Sequence, residues 1–393
     1  MIYKFIFRAY RKFFYVRYTL FLYFITLTCF IGWYFVYLFF KLRKNQVIDP
    51  GFNQKVLLIT PFKGLEQNTR ANALSILNQD YKNIQIYFVV DSKKDEAYHI
   101  LKEFEKDYQD RLNVIVSGIS KSCSQKVHNI VRAIQKCKEY DILVVLDSDG
   151  SPCPDFVSKL ISPLSSEKIS ITTGYPKYFP PNKTFFGFGR AILVNLGIVH
   201  ALNPFNRGIW GGAFAIKRED FEKIGGIKIW EKSVCEDRDL TCAISRANLK
   251  VSFVPEAFLL SPEDADMSSF LEYWRRRYLI LKLWDKPLWI SSGIIYFAFL
   301  VPYIALALDF FDPSYETNLV WTFASIFITI LGSAMILKFD FKEGNQLILR
   351  VFFLPFYYFT MLLAFVQGLF QNELLWRGVT YKVNKEGKLI ILR

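Results

Sequence analysis

Histidine is nearly absent from this 393-residue chain: three residues, His99, His128 and His200, stand with six scattered cysteines that form no C-x-x-C pair, which speaks against a zinc site. Cysteine is scarce as well, six residues with no C-x-x-C pair, which excludes a disulfide scaffold and suits thiols kept in a reducing compartment. No internal repeat and no low-complexity run is present, so solenoid and linker architectures fall away. Acidic residues are in deficit, 36 against 49 Lys and Arg, for a net charge of +13. Residues 1–50 hold eight bases and one acid, 51–284 hold 32 and 27, and 285–393 hold nine and eight. More than half the excess therefore flanks the first apolar segment, which points to anionic lipid rather than nucleic acid.

Apolar and aromatic residues are abundant. Hydrophobic residues make up 52%, aromatics 18%, and the mean hydropathy is +0.18, too apolar for disorder and too charged for a chain made only of membrane helices. Tyr18 to Phe40 is a 23-residue stretch without a charge, bracketed by Arg8, Arg11, Lys12 and Arg17 before and Lys41, Arg43 and Lys44 after. It is long enough to span a bilayer. A cleaved signal peptide would carry a small-residue cleavage site where KLRKN stands, so the segment reads as a retained anchor. Three further apolar stretches follow Trp284: Leu288 to Leu308, Asn318 to Leu337, and Leu347 to Phe370. The last holds Arg350 and Pro355, which favours a broken or re-entrant helix over a clean span. Two or three transmembrane helices are expected there, followed by an amphipathic, basic tail at the interface.

Between Lys55 and Val254 the pattern changes. KVLLIT, IQIYFVVD, LNVIVSG and DILVVLD are β-rich runs, each followed by a turn and a helix-like segment. This rhythm predicts an α/β domain with a mainly parallel sheet and helices on both faces, whose ligands bind beyond the carboxyl ends of the strands. Asp91 ends the second run, Asp147 and Asp149 end the fourth, and Glu236-Asp237 opens a helix at EDRDLTCAISRA. Each carboxylate alone is an ordinary turn or helix cap. Asp91, Asp147 and Asp149 share one edge of the sheet, and Asp-Ser-Asp-Gly at a strand end gives two carboxylates in one crevice, a hard-oxygen arrangement suited to Mg²⁺ or Mn²⁺ carrying a diphosphate. The alternative calcium loop at DSDGSPCPD lacks the terminal Glu of an EF-hand. Lys126 in SQKVHN and the Gly211-Gly212 pair in WGGAF accompany them. The segment WRRRY places Trp274, Arg275, Arg276, Arg277 and Tyr278 on a helix just before the membrane stretches, fit either to snorkel to lipid phosphates or to steady a departing diphosphate.

In the order ITPFKGLE, YFVVDS, SQKVHN, VLDSDG, WGGAFAIKRED, CEDRDL and WRRRY, the chain resembles the membrane-bound family 2-type glycosyltransferases of GT-A fold, in particular ceramide glucosyltransferase and its bacterial lipid-glycosylating relatives. The tail WRGVTYKV resembles their closing segment. The resemblance implies a GT-A fold, a Rossmann-like, mixed and mainly parallel sheet, with transmembrane helices before and after it. It implies inverting, metal-dependent transfer of a hexose from a nucleotide sugar, a UDP-hexose by expectation, to a lipid hydroxyl (ceramide-like, sterol- or hopanoid-like, or diacylglycerol). Thr60, Pro61 and Asp91 would hold the base, Asp147 the uridine, and Asp149 with Asp147 the metal. Lys126 would approach the diphosphate or its carboxylates. Asp237, paired with Glu236, would be the base, and Arg276 and Arg277 would aid the leaving group. Trp210, Gly211, Gly212, Trp274 and Tyr278 would line the acceptor side.

Trp274 and Tyr278 depart from the family's usual Gln/Arg-x-x-Arg-Trp. The expected layout is a basic segment and anchor (1–50), a catalytic domain (51–266), an interfacial helix (267–286), membrane helices (287–372) and the tail (373–393). The chain reads as a multi-pass membrane protein whose catalytic domain faces the cytosol, where activated sugars are made. The basic residues before the anchor run against that orientation by the positive-inside rule, unless residues 1–17 lie along the surface. Competing readings are a polysaccharide or polyprenyl-phosphate sugar synthase, and a membrane-anchored scaffold with a vestigial nucleotide site.

Overall fold

The computed structural model describes residues 52–66, 68–201, 208–294, 353–383 and 389–392, and the single positions 296, 297, 300 and 327. The anchor at 18–40, the stretch 318–337 apart from Phe327, and most of 288–308 lie outside the described residues. Among the described residues, no helix is long and apolar enough to cross a membrane. The chain divides into two compact units: the described residues of 40–179, 201–262 and 375–393, and those of 180–200 and 263–374.

The first unit begins with β1 (Val56–Pro61), α1 (Thr69–Leu77), β2 (Ile84–Val90), α2 (Glu96–Asp107), β3 (Leu112–Val116), α3 (Gln125–Lys136) and β4 (Ile142–Leu146). All four apolar runs are strands, as their pattern predicts. Then come β5 (Ser151–Pro152), α4 (Phe156–Ile161) and β6 (Ile171–Phe179) and, beyond α5 (Phe185–Ala201), β7 (Ala213–Lys217), α6 (Arg218–Lys223), α7 (Gly226–Trp230), α8 (Glu236–Arg246) and β8 (Val251–Pro262). One eight-stranded sheet runs β3-β2-β1-β4-β7-β6-β8-β5. β1 pairs in parallel with β2 and β4, and β2 with β3, while β7 runs antiparallel to both β4 and β6.

Successive side chains of a strand face opposite sides, and both sides of this sheet are buried. Val56 and Leu58 join one core with Ile86, Phe88, Val144 and Phe156; Leu57 and Ile59 join the other with Val127, Ile130, Phe214 and Trp230. Because β1, β2 and β4 are parallel, their carboxyl ends open on one edge. The antiparallel β7 starts at that same edge, with Ala213 opposite Leu146.

The second unit holds α5, α9 (Met267–Trp284) and α10 (Leu354–Leu369). Asp266 caps α9 in a reciprocal box with Ser269. Pro355 sits in the first turn of α10, where its missing N–H costs nothing; residues 347–352 of this apolar stretch, Arg350 among them, lie outside the described residues. Aromatics of α5, α9 and α10 pack together: Phe185 and Phe270 meet Tyr357, whose hydroxyl donates to the Phe185 carbonyl at 2.9 Å.

The C-terminal tail is β structure: β9 (Glu373–Trp376), β10 (Val379–Val383) and β11 (Leu389–Leu392) form a three-stranded sheet in the order β11-β10-β9. Alternation suits a strand as well as a surface helix, and the Arg377-Gly378 turn decides for the strand.

Candidate active site

The edge where β1, β2 and β4 end carries the expected acids. Asp147 follows β4, and its amide donates to the Gly212 carbonyl at 2.9 Å, locking the strand end to the start of β7. The turn after it is held from below: Asn72 of α1 donates to the Ser148 carbonyl at 3.0 Å and accepts from Ser151 Oγ at 2.7 Å. Asp149 in this turn is half-buried.

Lys126 enters from α3. Ser124 caps that helix through the Val127 amide, and its own amide donates to the Ser233 carbonyl at 2.9 Å, tying the start of α3 to the loop before α8. Two residues further on, the Lys126 ammonium reaches Asp147 Oδ1 at 2.7 Å and also pairs with Glu236. Glu236 is anchored by the buried Trp230, whose indole N–H donates to the Glu236 carbonyl at 3.1 Å. The Asp237 carboxylate is held at both oxygens, by the Gly211 amide on Oδ2 at 3.0 Å and the Arg238 amide on Oδ1 at 2.7 Å. Cβ atoms at Gly211 and Gly212 would collide with the Glu236 and Asp237 carboxylates and with the Trp210 ring respectively, so both glycines are required by close approach.

These contacts set the protonation behaviour. Burial pushes the Glu236 carboxyl up to about 7, with Lys126 pulling it back and the Asp237 and Asp147 charges adding to the rise. Burial likewise raises Asp237 above the ordinary carboxylate range, opposed by Lys126 and by the Gly211 and Arg238 amides. Burial acts to lower Lys126, but Asp147 and Glu236 outweigh it and hold the ammonium charged well beyond the usual range. The cluster is thus three carboxylates around one fixed cation, and burial makes the pair at the start of α8 more basic than ordinary carboxylates.

A second group lies at the end of β2. Asp91 is buried and accepts from Lys63 at 2.5 Å; Lys63 also pairs with Asp95 at 3.4 Å, and Asp95 caps α2 through the Ala97 amide. Lys63 and Asp95 are not visible as site residues in the sequence, although the lysine stands three positions past the Thr60 that ends the first apolar run. The Thr60 side chain is fully buried, its hydroxyl without a partner among the described residues, and Pro61 is half-buried.

In the second unit, Trp274 and Tyr278 are buried on α9 and stack at 6.1 Å between ring centroids. Arg277 lies 3.4 Å over the Tyr273 ring, and Arg276 is half-buried.

Among the described residues, no three His, Cys, Asp or Glu side chains gather as a ready metal cage. Mg²⁺ and Mn²⁺ that travel with a diphosphate need only one or two carboxylates, because phosphate oxygens and water complete the shell. The Asp147-Ser148-Asp149 turn fits that requirement, with Asp147 already shared with Lys126.

The mixed α/β sheet carries its carboxylate cluster at the carboxyl ends of the parallel strands, the edge at which open α/β sheets bind ligands. Residues 23–389 match glycosyl transferase family 21, and the chain belongs to that family. It is a glycosyltransferase. The resemblance in the sequence was to the family 2 type; the family shown is 21. Among solved structures, the fold is similar to the mannosyltransferase PcManGT of Pyrobaculum calidifontis, in complex with GDP-mannose and Mn²⁺: TM-score 0.51 and 16% identity, covering 89% of this chain and 98% of that one. This likeness shows the GT-A fold. GalNAc-T7 with UDP, GalNAc and Mn²⁺ matches at TM-score 0.41 and 14% identity over 69% of this chain and 54% of its own. A mycobacterial protein matches at TM-score 0.38 and 15% identity over 60% and 76%.

Proposed function

We propose that the chain transfers one hexose, with inversion, from a nucleotide-sugar donor, a UDP-hexose by expectation, to a hydroxyl of a membrane lipid. The single observation that carries this reading is the Asp237 carboxylate, fixed at both oxygens beside a Lys126 ammonium that also pairs with Asp147. An alcohol is far too weak an acid to ionise at neutral pH, so a positioned carboxylate must take its proton as the new bond forms, a contribution of about 10²- to 10⁴-fold. Asp237 is suited to that work because burial raises its basicity while the two amides hold its direction.

In the step itself the acceptor oxygen bonds to the anomeric carbon, the bond from that carbon to the diphosphate breaks, its electron pair leaves on the nucleotide, and the proton goes to Asp237. A carboxylate pair flanking the bond, as in a glycosidase, is not needed for this displacement. Lys126 supplies a cation beside the developing diphosphate charge, and Asp91 with Lys63 marks the nucleoside end of the crevice. Asp149 and Asp147 would hold Mg²⁺ or Mn²⁺, which supplies counter-charge to the diphosphate when bound. Arg276 and Arg277 are proposed to assist the leaving group, and Trp210, Gly211, Gly212, Trp274 and Tyr278 to form the acceptor side.

A lipid acceptor is supported by α10. One side of that helix is buried through Tyr357, Met361 and Ala364, and the other exposes Phe356, Phe359, Leu363 and Val366. Exposed apolar side chains in such a row suit lipid contact. The proposed setting is a multi-pass membrane protein with the first unit in the cytosol. The test is transfer by detergent-solubilised protein from a panel of UDP- and GDP-sugars to a total lipid extract, with Mg²⁺ or Mn²⁺ or with chelator, read by product mass. A single-hexose adduct on a neutral lipid is expected. A polymer or a sugar-phosphate lipid in its place would favour the synthase reading and overturn this one.

A further inference from the structure

The C-terminal hairpin has no role in the chemistry above, yet it reaches two loops of the first unit. Arg377 pairs with Glu66 and donates to the Lys63 carbonyl at 3.3 Å, both in the loop after β1. On the adjoining strand, the Tyr381 hydroxyl accepts from the Gln125 amide at 3.3 Å, at the start of α3 and next to Lys126. The first anchor follows β1, and Gln125 at the second donates through Nε2 to the Gly118 carbonyl at 2.9 Å, just past β3; Asp91 ends β2, the strand between those two in the sheet.

The turn itself is costly. Arg377 has φ of 50° and Gly378 of 78°, the pair of left-handed conformations that a two-residue hairpin turn demands. Glycine or asparagine takes the first of these positions without penalty; an arginine there is strained. Strain kept at one exposed position is explained by what the side chain does, and this one fastens the loop whose Lys63 pairs with Asp91 and Asp95. The same loop is shaped around Asp95, which accepts from the Gly64 amide at 3.0 Å.

We propose that the hairpin 373–383 is a strap across the nucleoside end of the donor crevice, with Arg377 as the positioning residue that holds the Lys63 loop against Asp91. The inference rests on the reading of that crevice as the donor site, and it adds a determinant of donor affinity.

Arg377→Gly gives the decisive variant, because glycine suits the turn and keeps the hairpin folded. Its melting temperature should equal or exceed that of the wild type, while donor KM and the Kd for UDP or GDP rise about five- to tenfold and kcat stays within about twofold, the scale of losing one charge-assisted anchor. Arg377→Lys should recover part of the affinity, and the exchanged pair Glu66→Arg with Arg377→Glu should recover more than either single change. Unchanged KM and Kd in a folded Arg377→Gly protein would overturn the strap, as would a fall in kcat alone. Titration of the wild type with UDP and GDP separates the two levels: binding that Arg377→Gly leaves intact defeats the strap only, whereas a wild type that binds neither nucleotide defeats the donor-site reading and the strap with it.

Discussion

The amide of Gly211 donates to Asp237 Oδ2 at 3.0 Å, joining the entry to β7 with the first turn of α8. A Cβ on Gly211 would lie 3.0 Å from that same oxygen and closer still to Glu236. Gly211→Ala is therefore expected to push both carboxylates out of place. The fold should lose about 1–3 kcal/mol, as overpacked sites do, and turnover should fall much further than stability. Thermal melting and steady-state transfer on the same preparation check this.

Asp237→Asn keeps the volume and one oxygen but removes the basic carboxylate. Turnover should fall by about 10²-fold or more while nucleotide binding changes little. Calorimetric titration with nucleoside diphosphate, beside initial rates, separates the two effects.

Glu236 predicts a pH signature. Its carboxyl is raised to about 7, so the fold binds this proton more tightly than the unfolded chain, whose value is near the ordinary 4.5. The stability this group contributes is fully present below about 4.5 and is lost as pH rises through about 7. Glu236→Gln removes the titration, so its melting temperature should fall less than that of the wild type between those two pH values. Parallel melting curves for the two proteins would contradict the assignment.

Lys126 balances Asp147 and Glu236. Lys126→Met leaves two carboxylates facing each other without their cation, and should destabilise the fold by about 3 kcal/mol, the scale of breaking a buried ion pair on one side. The loss should shrink at acid pH, where Glu236 is protonated. Denaturant titration at two pH values tests both parts.

Much of this was legible in the sequence. The four apolar runs are β1 to β4, because strands buried on both faces need continuous Val, Ile and Leu, and nothing local competes with that demand. Asp147, Lys126, Glu236, Asp237 and Gly211 were each readable, since acids at strand ends and helix starts are conspicuous, and the structure brings them into one cluster. Lys63 and Asp95 were hidden, because a lysine after a strand and an acid before a helix are ordinary until the fold folds one onto the other. The tail's pattern predicts an amphipathic segment at the interface, and its described residues fold as strands. Two-residue alternation and helical amphipathicity overlap in so short a segment, and the Arg377-Gly378 turn was the signal that distinguished them.

The most direct test follows the lipid product of wild-type and Asp237→Asn protein given one nucleotide sugar, Mn²⁺ and lipid extract, reading its mass and the configuration of its new glycosidic bond. The account predicts a single hexose on a lipid hydroxyl, of anomeric configuration opposite to the donor's, formed at least about a hundredfold more slowly by the variant. A product that keeps the donor's configuration, or equal rates from the two proteins, would contradict it.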